Sequence, residues 1–165
     1  MKCITWNLKG IVGKASKQMD AIIQLQPDIL AFQEVTLNSI NIIRKKLSPS
    51  YANIVDSLEF VQDKSALVGP RRYGVLIATN YKTQTLDPKL FDIPWQERVL
   101  SVNIHHPKET IEFHTAYIPP GSTNRWKKIE TLIHNFHQLP VTMQGWSWRV
   151  ISRLKLSLIH ISEPT

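Results

Sequence analysis

Two residues near the start of the chain have the types and placement for shared chemistry. Asn7 closes the run Ile4-Thr5-Trp6-Asn7-Leu8, and Glu34 closes Pro27-Asp28-Ile29-Leu30-Ala31-Phe32-Gln33-Glu34-Val35. Each run reads as a buried strand ending in a polar residue. Apolar strands bury only polar groups that find partners, so an amide and a carboxylate at two strand ends point to one polar site. A carboxylate fixed by a sheet is a hard-metal ligand, suited to Mg²⁺, which takes oxygen donors and few protein ligands. A metal-dependent enzyme is the leading reading.

The elements that must hold these residues follow from pattern. Residues 2–7 alternate as a strand. Met19, Ile22, Ile23 and Gln26 have helical spacing over 15–26, and Pro27 stops that helix. Residues 28–34 form a strand apolar on both faces. Ile40, Ile43 and Leu47 predict a helix over 38–47, closed by Ser48-Pro49. Strand patterns follow at 51–56, 73–79, 97–105 and 110–118. Ser122 is placed to cap a further helix with Trp126, Ile129, Leu132, Ile133 and Phe136 on its apolar face, ended by Pro140. Interleaved strands and helices, then mostly strands, predict two sheets covered by outer helices.

Composition sets wider limits. The 165 residues suit one domain with an ordinary apolar fraction of 42%. No apolar run nears the roughly 18 residues that span a bilayer, and no secretory signal opens the chain, so a cytoplasmic location is expected. The single cysteine, Cys3, lies in the first strand pattern and reads as a small core residue. A formal net charge of +7 is compatible with a polyanionic partner, although basic surfaces also serve solubility.

The last part of the chain breaks the pattern. Leu156-Ser157-Leu158-Ile159-His160-Ile161-Ser162-Glu163-Pro164-Thr165 matches, residue for residue, a translation of a transposase sequencing adapter. Before it, Gln144-Gly145-Trp146-Ser147-Trp148-Arg149 makes a poor core strand, whereas a two-base shift allows Gly-Asp-Phe in place of Val150-Ile151-Ser152. The expected organisation is therefore a domain piece over 1–140, an out-of-frame segment over 141–155 and an adapter-derived tail over 156–165.

Five segments together carry a resemblance: Thr5-Trp6-Asn7, Pro27-Asp28-Ile29-Leu30 with Gln33-Glu34, Tyr73-Gly74-Val75, Glu97-Arg98-Val99-Leu100, and Tyr117-Ile118-Pro119-Pro120-Gly121. In order and spacing the chain resembles the endonuclease/exonuclease/phosphatase superfamily, which includes exonuclease III-like enzymes and neutral sphingomyelinases. The resemblance implies an α+β fold, the four-layered αββα sandwich of DNase I-like proteins, here incomplete at its C-terminal end. It implies that Glu34 binds Mg²⁺ (or Mn²⁺), that Asn7 supports the metal and phosphate shell, and that Tyr117 contacts the scissile phosphate.

Plainer readings stand beside these. Glu34 could be the N-cap of the helix after Val35, Asn7 a turn residue before Gly10, and Tyr117 a half-buried strand aromatic. Arg98 faces either phosphate or Glu97, and Arg71 and Arg72 lie on a loop that reaches either phosphates or solvent. The histidines at 105, 106, 114, 134 and 137 lack metal spacing and read as surface or helix-face residues.

The implied activity is Mg²⁺-dependent phosphodiester hydrolysis, a nuclease on DNA or RNA. The alternatives are a phosphatase or sphingomyelinase-like esterase, and a non-catalytic nucleic-acid-binding module. No obligate protein partner is evident. The family's Gly-Asp-x-Asn and Ser-Asp-His motifs are absent from these residues, so the chain is expected to lack its general base and to be inactive and poorly folded.

Overall fold

The computed structural model describes residues 1–9, 12–90, 95–118, 130 and 134. Its first sheet contains β1 (Cys3–Asn7), β2 (Ile29–Val35), β3 (Asn53–Asp56) and β4 (Gly74–Thr79), in the order β1-β2-β4-β3. β1 runs parallel to β2, and β4 is antiparallel to both of its neighbours. The second sheet is an antiparallel meander of β5 (Lys82–Thr85), β6 (Val99–His106) and β7 (Glu109–Ala116).

Helices α1 (Val12–Gln24) and α2 (Leu37–Leu47) cover one face of the first sheet. Side chains alternate across each strand, so its two faces enter two different cores. Leu30, Phe32, Leu76 and Ala78 meet Met19, Ile22, Ile43 and Leu47 under the helices. Ile29, Val75 and Ile77 meet Leu100, Val102 and Ile104 between the sheets. Each fully buried large apolar side chain contributes about 1.5–3 kcal/mol. β2, buried on both sides, is the spine of the fold. Three layers of an α+β sandwich, helix, sheet and sheet, thus lie within the described residues. The helix expected from Ser122 falls almost wholly outside them, with Glu130 and His134 in helical conformation.

Helix α2 begins at a capping box. The Thr36 side chain accepts from the backbone N–H of Ser39, and the Ser39 hydroxyl accepts in return from that of Thr36. Both helices start before the pattern predicts, and β5 was not foreseen, because its Lys82-Thr83-Gln84-Thr85 has no apolar alternation. A larger correction concerns β1. Within the described residues β1 pairs only with β2, and there Cys3 is exposed rather than a core residue and Trp6 is 43% exposed. A strand placed centrally would have buried both.

Candidate active site

The ends of β1, β2 and β7 bring Asn7, Glu34 and Tyr117 together. In the β1–β2 register Asn7 lies opposite Gln33, one residue before Glu34. A regular strand would send Gln33 and Glu34 to opposite faces. The β2–β4 pairing instead slips between Gln33 and Val35, and Glu34 bulges out with φ of 58°. A left-handed backbone costs a non-glycine residue about 1–2 kcal/mol, and bulges of this kind re-aim side chains at functional sites. Here the carboxylate is turned to where Asn7 Nδ2 donates to Glu34 Oε1 at 2.8 Å.

The plainer reading of Glu34 is overturned, since Thr36 and not Glu34 caps α2. The plainer reading of Asn7 fits as well, because its Oδ1 accepts from the backbone N–H of Lys9 at 2.8 Å, forming a turn. Tyr117 is buried, not half-buried, and its backbone N–H continues the ladder past β7 by donating to the Arg98 carbonyl at 2.9 Å. Its hydroxyl is hydrogen-bonded to Glu34. Burial pushes the Tyr117 pKa well above the ordinary tyrosine range, and the Glu34 charge and hydrogen bond push it further. At neutral pH this phenol is a hydrogen-bond donor and not a base.

The arginines divide. Arg98 is buried beside Tyr117, where its charge opposes that rise, and its Nε lies 4.0 Å from Glu97 Oε1. Arg71, expected on a phosphate-reaching or solvated loop, instead grips the buried Glu97 carboxylate with Nε and Nη2, each at 3.2 Å. Removing Arg71 leaves the buried Glu97 carboxylate with the longer contact to Arg98 in place of its two-point partner. Arg71→Met is therefore expected to lower stability by about 2–4 kcal/mol in urea unfolding, and Glu97→Gln in the same background to recover part of it. Arg72 stays exposed with its guanidinium 4.6 Å from the Tyr73 ring centroid, and the Tyr73 ring meets Tyr117 edge-on at 5.8 Å.

Two neighbours of the site, Tyr73 and Gln33, stood in the segments that carry the resemblance but were given no role there. Tyr73 had only its place beside Gly74 to mark it, whereas Gln33 was signalled by a lone amide inside an apolar run. His114 departs from the surface role expected of the histidines. It is buried, with Nδ1 2.7 Å from Ser101 Oγ and Nε2 3.3 Å from Glu112 Oε1. That hydrogen bond is the main cause holding the Glu112 carboxyl below its ordinary range.

Among the described residues no group of three or more His, Cys, Asp or Glu gathers around a point. A cation here would take the Glu34 carboxylate and fill most of its shell with water. That oxygen-only donor set suits Mg²⁺.

The chain resembles several solved structures in fold. TDP2 from D. rerio, complexed with a single-strand DNA product, matches with a TM-score of 0.58 at 15% identity over 85% of this chain and 56% of that one. An AP endonuclease from Archaeoglobus fulgidus matches with a TM-score of 0.56 at 19% identity, covering 87% of this chain and 52% of that one. The 3′ phosphatase NExo from Neisseria, bound to a product DNA hairpin, gives a TM-score of 0.54 at 22% identity over 82% and 49%. The chain thus spans about half the length of the structures it matches. No curated protein matches it by sequence. The family model of endonuclease/exonuclease/phosphatase proteins matches residues 4–165. With its two packed sheets and DNase I-like neighbours, this chain belongs to the endonuclease/exonuclease/phosphatase family.

Proposed function

We propose that the chain is the N-terminal part of a Mg²⁺-dependent phosphodiesterase, a nuclease acting on DNA or RNA. The observation that carries this reading is the convergence of Glu34, Asn7 and Tyr117, with Glu34 held in a left-handed bulge that turns its carboxylate toward Asn7. Family membership supports phosphoester hydrolysis in general terms. The nucleic-acid substrate is favoured by the basic charge and by the fold neighbours solved with DNA products.

Each residue has a part in this scheme. Glu34 would hold the cation, and Mn²⁺ would serve in place of Mg²⁺. A bound divalent ion supplies charge neutralisation at the phosphate and at the leaving oxygen. Asn7 fixes the carboxylate through one oxygen. Tyr117, kept protonated, has a single O–H to give, so donation to a phosphate oxygen would replace its interaction with Glu34. Arg98 places positive charge beside Tyr117. Arg72, permanently charged and stacked on Tyr73, would bind a phosphate flanking the scissile one.

The test is a substrate panel of abasic-site duplex, single-stranded DNA and RNA, and small phosphoesters. It is run on the protein whose reading frame continues past residue 140, with and without chelator. Cleavage confined to small phosphoesters would replace the nuclease reading by the phosphatase one. In the same assay Arg72→Ala is expected to raise KM several-fold at unchanged kcat, and to reduce the salt slope of binding by about one. An unchanged salt slope would remove Arg72 from the substrate site.

No described helix is long and apolar enough to cross a membrane.

A further inference from the structure

Gln33 is 1% exposed and lies in β2 immediately before Glu34. Its side-chain Nε2 donates in two directions, to Thr5 Oγ1 of β1 at 2.7 Å and to Thr115 Oγ1 of β7 at 3.3 Å. Its backbone carbonyl accepts from Leu8 N–H at 3.0 Å. β1 belongs to the first sheet and β7 to the second, so one amide links both sheets. The spacing is repeated on the two sides. Thr5 lies two residues before Asn7, and Thr115 lies two residues before Tyr117. Strand side chains two apart share a face, so each threonine sits on the same side as the site residue that follows it.

The surroundings explain why an amide is needed. Among the described residues the apolar cluster between the sheets draws on β2, β4, β6 and Tyr117, with side chains of β3 and β7 packed against it, and contains none from β1. At the β1 side the sheets are therefore not spaced by interlocking apolar side chains. A buried amide that uses both of its protons on strands of different sheets can do this instead, and it fixes one geometry because either hydrogen bond left unmade is costly.

We propose that Gln33 is a positioning residue, whose amide ties β1 to β7 so that Asn7 and Tyr117 arrive together at the Glu34 carboxylate. This rests on the reading of Glu34 as the functional carboxylate, and it adds a group that touches neither substrate nor cation. Asn7 and Tyr117 reach Glu34 from opposite sheets, and β1 and β7 are not paired with each other. Apolar packing elsewhere would preserve the fold while leaving this separation loose.

The test uses the protein whose reading frame continues past residue 140, ¹⁵N-labelled, with Gln33→Met, which keeps length and volume but removes both donors. Thr5→Val removes one acceptor at an exposed position and serves where Gln33→Met does not fold. The first readout is solvent exchange of the Asn7 side-chain amide, which is slowed by its bond to Glu34. The second is affinity for Mn²⁺, followed by electron paramagnetic resonance. In both variants Asn7 exchange is expected to rise at least about tenfold, and Mn²⁺ affinity to fall about 10–100-fold, as for other residues that orient a ligand. The backbone amide spectrum away from the strand ends should be unchanged. Wild-type Asn7 exchange in a folded Gln33→Met chain, or in Thr5→Val where the former does not fold, would overturn the proposal. If Glu34→Gln leaves wild-type Mn²⁺ binding intact, the metal reading fails, and the Asn7 exchange rates still decide the role of Gln33.

Discussion

Glu34→Gln is expected to reduce Mn²⁺ affinity by about 100-fold or more, and to lower kcat on the order of 10²–10³-fold in the protein read in frame past residue 140. The geometry gives the reason. The structure presents one carboxylate at the meeting of β1, β2 and β7, already oriented by Asn7 and hydrogen-bonded to Tyr117. Replacing one oxygen by NH₂ keeps shape and volume, but it removes the charge that a divalent cation needs.

Stability separates this role from a structural one. Glu34 sits at φ of 58°, which glycine adopts at little cost. Glu34→Gly should therefore keep, or raise by up to about 1 kcal/mol, the unfolding free energy while losing cation binding as Glu34→Gln does. If Glu34 were present for the fold, Glu34→Gly would lower the melting temperature along with the affinity. A lowered melting temperature in chelator would give Glu34 a part in the fold beside cation binding, and unchanged Mn²⁺ affinity in Glu34→Gly would refute the metal reading.

The second large effect concerns the end of the chain. We propose that residues 141–155 are out of frame and 156–165 derive from a sequencing adapter. The 165-residue chain should then show no metal-dependent hydrolysis above background. The product of the restored frame should turn over at ordinary enzymatic rates, on the order of 1–10³ s⁻¹. The chemistry requires this contrast. Glu34, Asn7 and Tyr117 can hold a cation and donate to a phosphate, but with Tyr117 kept protonated no group among them is a general base. Resequencing the source DNA through codon 140 decides the frame. Robust Mg²⁺-dependent phosphodiesterase activity from the 165-residue chain would refute the proposal, as would a contiguous in-frame genomic match through residue 165.

Local pattern was enough for much of this molecule. The apolar run at 29–35 has one outcome, a strand buried on both faces. Pro27 ends α1 before it, and the spacing of Ile40, Ile43 and Leu47 fixes the buried face of α2. Asn7 and Glu34 were legible as candidates because each is a polar group at the end of an apolar strand, where few residues can be satisfied without a partner; Tyr117 was legible only through the family resemblance, since alone it reads as a strand aromatic.

Tertiary structure decided what they do together. No periodicity says that Cys3 and Trp6 of β1 are left exposed among the described residues. None says that Arg71 is taken by the buried Glu97 while Arg72 remains outside. The exposed β5 had no alternation to reveal it. The sequence by itself determined which groups could carry the chemistry, because residue type and strand position follow from local pattern. Only the folded chain decided that they meet. The bulge at Glu34 reverses the alternation that strand pattern predicts, and Gln33 joins strands more than 80 residues apart in sequence, at a separation of 82 from Thr115. Contacts of that range are set by how sheets pack, and no local window contains them.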